Sequence, residues 1–145
     1  MHVSRTVPWL LAALLAAGAV ALPARAAVAP APPVIHEPFT VLPCPARPVS
    51  TLAIEGCTEK MILAGDRAID ARAKAIFRLL ASSARTEFVQ GEAGWLRYRV
   101  ASCSSEASKY AGGTLQPVAY ATCVVSRNRT HLEDLSDLEH ALGSH

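Results

Sequence analysis

The sequence predicts an all-α fold: a small disulfide-stabilised helical hairpin plus a third helix. Three observations carry this. Apolar residues recur at helical spacing in separate segments of the chain. Strand signals are weak throughout. Four cysteines in 145 residues form an even set suited to cross-linking a small core.

The chain opens with the features of a secretory signal. Arg5 supplies a positive start, and Trp9 to Leu22 is an uncharged apolar run. Ala24-Arg25-Ala26 has the small-x-small pattern of a cleavage site. The run is shorter than the roughly 20 residues of a membrane span. Residues 1–26 therefore read as a removable export signal, with no stable membrane anchor once it has gone. No cysteine lies near the expected cut, which argues against lipid attachment.

Residues 27–43 read as a proline-rich linker. Seven of the ten prolines lie between 27 and 50, and proline fixes φ and removes a backbone donor. Cys44 is expected to be the first point at which the chain is tied down. The domain proper is assigned to residues 44–142.

The first helix is expected from Cys57 to about Ser83. Ile62, Ile69, Ala73, Ile76 and Leu80 share one helical face, and no proline interrupts the run. A second helix should span roughly Arg85 to Ser104, with Phe88, Trp95, Tyr98 and Val100 as its apolar contacts. Gly91 and Gly94 each weaken it by about 1 kcal/mol relative to alanine, and close packing against a neighbour would account for them. Gly112-Gly113 marks a turn, because glycine tolerates positive φ. Thr114 is the expected N-cap of a third helix, with Pro117 in its first turn. Leu132, Leu135, Leu138 and Leu142 form that helix's late apolar stripe.

Charge and cysteine usage restrict function. The full chain has 14 Lys+Arg and 12 Asp+Glu, for a net charge of +2. Removing the signal takes Arg5 and Arg25 with it and leaves 12 of each sign. A nucleic-acid partner then lacks the basic surplus that phosphate binding requires. All four cysteines, Cys44, Cys57, Cys103 and Cys123, fall in the mature part. None are spaced two to four residues apart, as zinc ligands usually are, so two disulfides are expected and no metal. Pairing Cys44 with Cys57 and Cys103 with Cys123 is preferred, because each pair closes a short local segment. The rival pairing, Cys57 with Cys103, would staple the hairpin itself.

Trp95-Leu96-x-Tyr98-Arg99-x-x-x-Cys103, then Tyr110-x-Gly112-Gly113-Thr114 and Cys123, resembles the N-terminal domain of the lysozyme inhibitor LprI-like proteins. Ile69-Asp70 with Phe77 resembles the family's earlier helix motif, and the Cys44 and Cys57 spacing is similar to its first pair. The resemblance covers about residues 44–135. Lys74 departs from a common Asn, and Ser126-Arg127-Asn128-Arg129-Thr130 matches the family's Thr/Arg pattern only with an offset. The lipid-attachment cysteine of the namesake is absent. The resemblance implies an exported inhibitor whose partner is a lysozyme or another peptidoglycan hydrolase. The family-motif residues are Asp70, Trp95, Tyr98, Arg99, Gly112 and Gly113.

Each motif also has a plain structural role. Trp95, Tyr98 and Arg99 lie three and four apart, so one helical face would present aromatics beside a guanidinium. Such residues are enriched at binding hot spots. The preferred expectation is a core-edge cluster, with Arg99 paired to Asp66 or Asp70, because buried charges need partners. The Gly-Gly turn is expected to reverse the chain, with insertion into a partner's cleft as the sharper alternative. Glu133, Asp134, Asp137 and Glu139 read as a solvated face that could steer a basic partner. Asn128-Arg129-Thr130 matches a glycosylation sequon. No nucleophile–base set is present, and Asp66 and Asp70 lack the substrate groove that a glycosidase pair requires, so no catalytic residue, enzyme activity or cofactor is assigned. Two functions remain: a periplasmic or secreted hydrolase inhibitor, or a non-inhibitory structural or interaction module of the cell envelope.

Overall fold

Ser50 starts the first helix, α1 (Thr51–Leu79), by accepting a hydrogen bond from the Ala53 amide onto its side chain. The computed structural model describes residues 28–37 and 42–144. The expected signal (1–26) and positions 38–41 of the expected linker lie outside the described residues. α1 begins six residues before the expected Cys57, because the cap at Ser50 lies just beyond the last proline of the cluster, Pro48. It ends where Leu80 turns extended. Arg85 Nε then donates to the carbonyls of Phe77 and Leu80 at 3.0 and 3.2 Å, satisfying acceptors that a helix end leaves open.

The second helix, α2 (Ser82–Ala107), continues through a single 3-10 turn at Ser108–Tyr110. A turn at Gly112, φ +76°, leads into α3 (Gln116–Gly143). Thr114 is not the cap of α3. That position falls to Leu115, whose side chain cannot cap, while Pro117 occupies the first turn as expected. The Gln116 side chain instead accepts from the Gly112 amide at 3.2 Å, which braces the turn.

The molecule is all-α among the described residues, and its disulfides are Cys44–Cys57 and Cys103–Cys123. The hairpin is not a simple pair of touching helices. α3 lies against both α1 and α2, and the densest backbone contact is between α1 and α3. α1 and α2 meet mainly through long side chains, including Arg85 beneath the Phe77 ring and Arg99 on Asp66.

Two apolar clusters form the core. One gathers Ile62, Cys103, Ala121, Cys123 and Val124 around a disulfide. The other gathers Ile69, Ile76 and Leu135, covered by Phe88, Trp95, Leu132 and Leu142. Each fully buried Ile or Leu contributes about 1.5–3 kcal/mol. Leu138 stays 38% exposed, at the edge of the expected stripe. Tyr98 and Val100 also point outward, contrary to expectation, because the inward position between them belongs to Arg99.

The close glycine approaches are on α1, not on α2. A Cβ at Gly56 would lie 2.5 Å from the Pro43 carbonyl oxygen, and one at Gly65 would lie 2.9 Å from the Asn128 side chain. No neighbour packs on Gly91, and Gly94 faces only the end of Arg97. The segment read as linker is also tied down before Cys44. Ile35 packs on the second cluster, and its amide donates to Asp70 Oδ1 at 2.9 Å. Among the described residues, no helix is long and apolar enough to cross a membrane.

Non-reducing peptide mapping is expected to recover a Cys44/Cys57 and a Cys103/Cys123 cross-link. Replacing Cys103 and Cys123 together by alanine should lower unfolding free energy by about 3 kcal/mol, the loop-closure contribution of a segment this long, read by denaturant titration.

Candidate functional site

Between the two apolar clusters lies a polar layer with one residue from each helix. Asp66 sits between Ile62 and Ile69 on α1. Arg99 sits between Trp95 and Cys103 on α2. Asn128 sits between Val124 and Leu135 on α3. All three are at most 4% exposed. Arg99 Nη1 donates to Asp66 Oδ1 at 2.6 Å and to Asn128 Oδ1 at 2.8 Å, and Asn128 Nδ2 donates to Asp66 Oδ1 at 2.9 Å. Each member thus hydrogen-bonds to the other two. Gly65, with no side chain, lets Asn128 approach α1.

A fourth member arrives from the proline-rich segment. Glu37 accepts from Arg99 Nη2 and forms a second ion pair there. One guanidinium now faces two carboxyls. Burial raises the Glu37 pKa above its ordinary 4.5, partly opposed by Arg99, and Asp66 adds both repulsion and a hydrogen bond that favours the protonated form. Asp66 Oδ2 and Arg99 Nε, both buried, have no hydrogen-bond partner among the described residues.

Next to this layer, Trp95 stacks on His131 with ring centroids 3.8 Å apart and planes inclined by 10°. His131 Nε2 lies 2.9 Å from Glu92 Oε2. The Arg99 guanidinium lies 5.2 Å from the Trp95 ring centroid, within cation–π range. Asp70 lies under the extended segment, bound to the Ile35 amide, and burial raises its pKa.

The candidate residues therefore separate. Arg99 takes Asp66 rather than Asp70, so the buried-pair expectation is met by the first of its two named partners. Trp95 and Arg99 face inward, but Tyr98 faces solvent with Arg127 5.5 Å from its ring. The proposed aromatic platform is thus divided between core and surface. Gly112 and Gly113 form an exposed turn remote from the polar layer. Asp66 and Asp70 face different partners, and Asp66 is closed to any substrate. Asn128 is 2% exposed, so the sequon's asparagine is inaccessible in the folded chain. Among the described residues, no group of three or more His, Cys, Asp or Glu could hold a metal ion.

The family described as Lysozyme inhibitor LprI matches residues 44–135, well over half of the chain. The chain belongs to the lysozyme inhibitor LprI family. Neither a curated protein nor a solved structure matches it. The matched stretch holds both disulfides, the whole of α1 and α2, and most of α3. In this LprI-family domain, Trp95, Arg99, Cys103 and Cys123 meet in the core rather than on the surface.

Four functional positions escaped the sequence reading: Glu37, Glu92, Asn128 and His131. Three had a usable signal. Ala121, Val124, Asn128, His131 and Leu135 repeat at alternating spacings of three and four, as do Phe88, Glu92, Trp95, Arg99 and Cys103 with one exception at the end. Polar residues inside an apolar seam belong to that seam. Glu37 had no such signal, since nothing local links an extended segment to α2.

Arg99→Ala should destabilise the fold by about 3–5 kcal/mol, because it leaves two carboxyls in the interior without their cation; thermal or denaturant unfolding measures this. Unchanged melting with lost partner binding would overturn the structural role. The raised Glu37 pKa also sets a pH dependence. A carboxyl that binds its proton more tightly when folded contributes stability fully below about 4.5, and that contribution is lost as pH rises through the raised value. The melting temperature should therefore carry a component that falls as pH rises above about 4.5 toward neutrality, and Glu37→Gln should remove it.

Proposed function

We propose that this chain is an exported inhibitor of lysozyme-type or other peptidoglycan-cleaving enzymes, acting by binding the target protein and occluding its active cleft. The observation that carries this reading is the family match over residues 44–135. Both disulfides suit an oxidising compartment, which supports a periplasmic or secreted location. Residues 1–26 serve as the export signal in this reading, and residues 44–142 form the inhibitory domain.

The chain itself performs no catalysis in this account. Its strongest polar constellation, Asp66–Arg99–Asn128 with Glu37, is enclosed and hydrogen-bonded within itself, with Asp66 Oδ2 and Arg99 Nε left without a partner among the described residues. Groups so engaged hold helices in register and offer no open position to a substrate. In this reading Trp95 and Arg99 act as scaffold residues, and target contact falls to exposed surface. An inhibitor of this kind works by rigid occlusion, which favours a bundle locked by two cross-links over a flexible one.

The oxidised protein is expected to abolish muramidase activity of a lysozyme in a saturable manner, more weakly as salt rises. A turbidity assay on peptidoglycan measures this. Full enzyme activity at excess protein removes the reading for that enzyme type.

A further inference from the structure

A cleft of about 440 Å³ opens at the end of the bundle that carries the Cys103–Cys123 disulfide. Ile62, Ala107, Tyr120 and Ala121 give it apolar walls, and Glu55 and Glu59, one turn apart on α1, line one side. No lysine, arginine or histidine lines it. Glu59 is 8% exposed, so more than nine-tenths of it is buried. Its Oε2 accepts from the Leu42 amide at 2.8 Å, yet among the described residues it has no cationic partner. Buried acidic side chains are usually found paired with an opposite charge. The cleft is thus matched to a group with an apolar stem and a positive head. Lysine and arginine side chains have that form. Leu52, three residues before Glu55, and Leu115, beside Gln116 of the cleft wall, are both exposed. An apolar margin of this kind is what a protein surface, rather than a free amine, would cover.

We propose that this cleft receives a lysine or arginine side chain projecting from the target hydrolase, with Glu59 and Glu55 meeting its charge and the apolar walls covering its stem. The inference rests on the inhibitor reading and names the surface that performs it. It places target contact at the disulfide end of the bundle, away from the Trp95–Arg99 face and the acidic run of α3.

Two measurements test it. In the first, NMR amide shifts of the full oxidised protein are followed with N-acetyl-lysine methylamide and with its neutral norleucine counterpart. Saturable shifts at Ile62, Ala107 and Ala121 with the lysine probe alone, lost in Glu59→Gln, support the cleft. Equal response to both probes, or persistence in Glu59→Gln, overturns it. In the second, lysozyme affinity is measured for variants. Glu59→Gln should weaken binding by about tenfold or more, as expected when one member of a largely desolvated charge pair is neutralised. Glu55→Gln should weaken it by a smaller factor with unchanged melting, which separates binding from folding. Glu87→Gln, exposed on α2, should stay within about twofold. Wild-type affinity in both cleft variants overturns the inference and leaves the inhibitor reading intact. Lysine-probe binding without any lysozyme inhibition supports the cleft and removes the inhibitor reading for lysozyme-type enzymes. Self-association that disappears in Glu59→Gln puts a second copy of the chain in the cleft and overturns the proposal.

Discussion

Arg99 is the residue around which the bundle is organised. Its guanidinium is 2% exposed and touches a partner from each of the other two helices, and a carboxyl from the extended segment as well. A buried cation tolerates little error in the placement of its partners. A slip of α1 by one turn would remove the Asp66 ion pair, and a slip of α3 would remove the Asn128 hydrogen bonds. Apolar clusters on either side supply most of the burial, but Ile62 or Val124 could pack adequately in several registers. The polar layer is what distinguishes those registers. This assigns Arg99 a role in specificity of packing, in the sense established for polar residues within coiled-coil seams.

The same layer explains why a proline-rich segment belongs with the domain. Asp66 alone would neutralise Arg99, so Glu37 brings a second carboxyl to a single cation. Burial, with a smaller contribution from Asp66, raises the Glu37 pKa and makes the attachment of that segment sensitive to protonation. Ile35 adds an apolar contact and an amide hydrogen bond to Asp70. An extended strand without internal hydrogen bonds has to satisfy its backbone elsewhere, and Asp70 serves that need. The disulfide Cys44–Cys57 and the Glu59–Leu42 hydrogen bond continue the attachment toward the start of α1. Gly56 permits it, since any larger residue would meet Pro43.

Trp95, Arg99 and the second cysteine pair are occupied in holding three helices together. A stacked Trp95–His131 pair and a cation–π contact with Arg99 use the aromatic surface that a binding platform would need. The cleft bordered by Glu55 and Glu59 combines anionic charge with apolar walls, and its position near the Cys103–Cys123 cross-link gives it a rigid frame. Rigidity there limits the conformational entropy lost on association.

Sequence alone determined the helical class, the three segments, the preferred cysteine pairing and the pairing of Arg99 with an aspartate. These follow from local rules: periodicity, loop closure and the need of a buried charge for a partner. Helix ends were legible only within several residues, because capping by Ser50 and by Arg85 depends on side chains that the apolar pattern does not register. Only the tertiary structure decided that α3 fills the space between α1 and α2, that Tyr98 turns outward, and that Glu37 enters the core. It also gave Asn128 and His131 their roles, which the sequence reading missed although both share the three-and-four spacing of Val124 and Leu135. The physical reason is common to all of these. A seam position says which side of a helix a residue occupies, but its partner lies on another helix, and that is chosen by how the helices pack together.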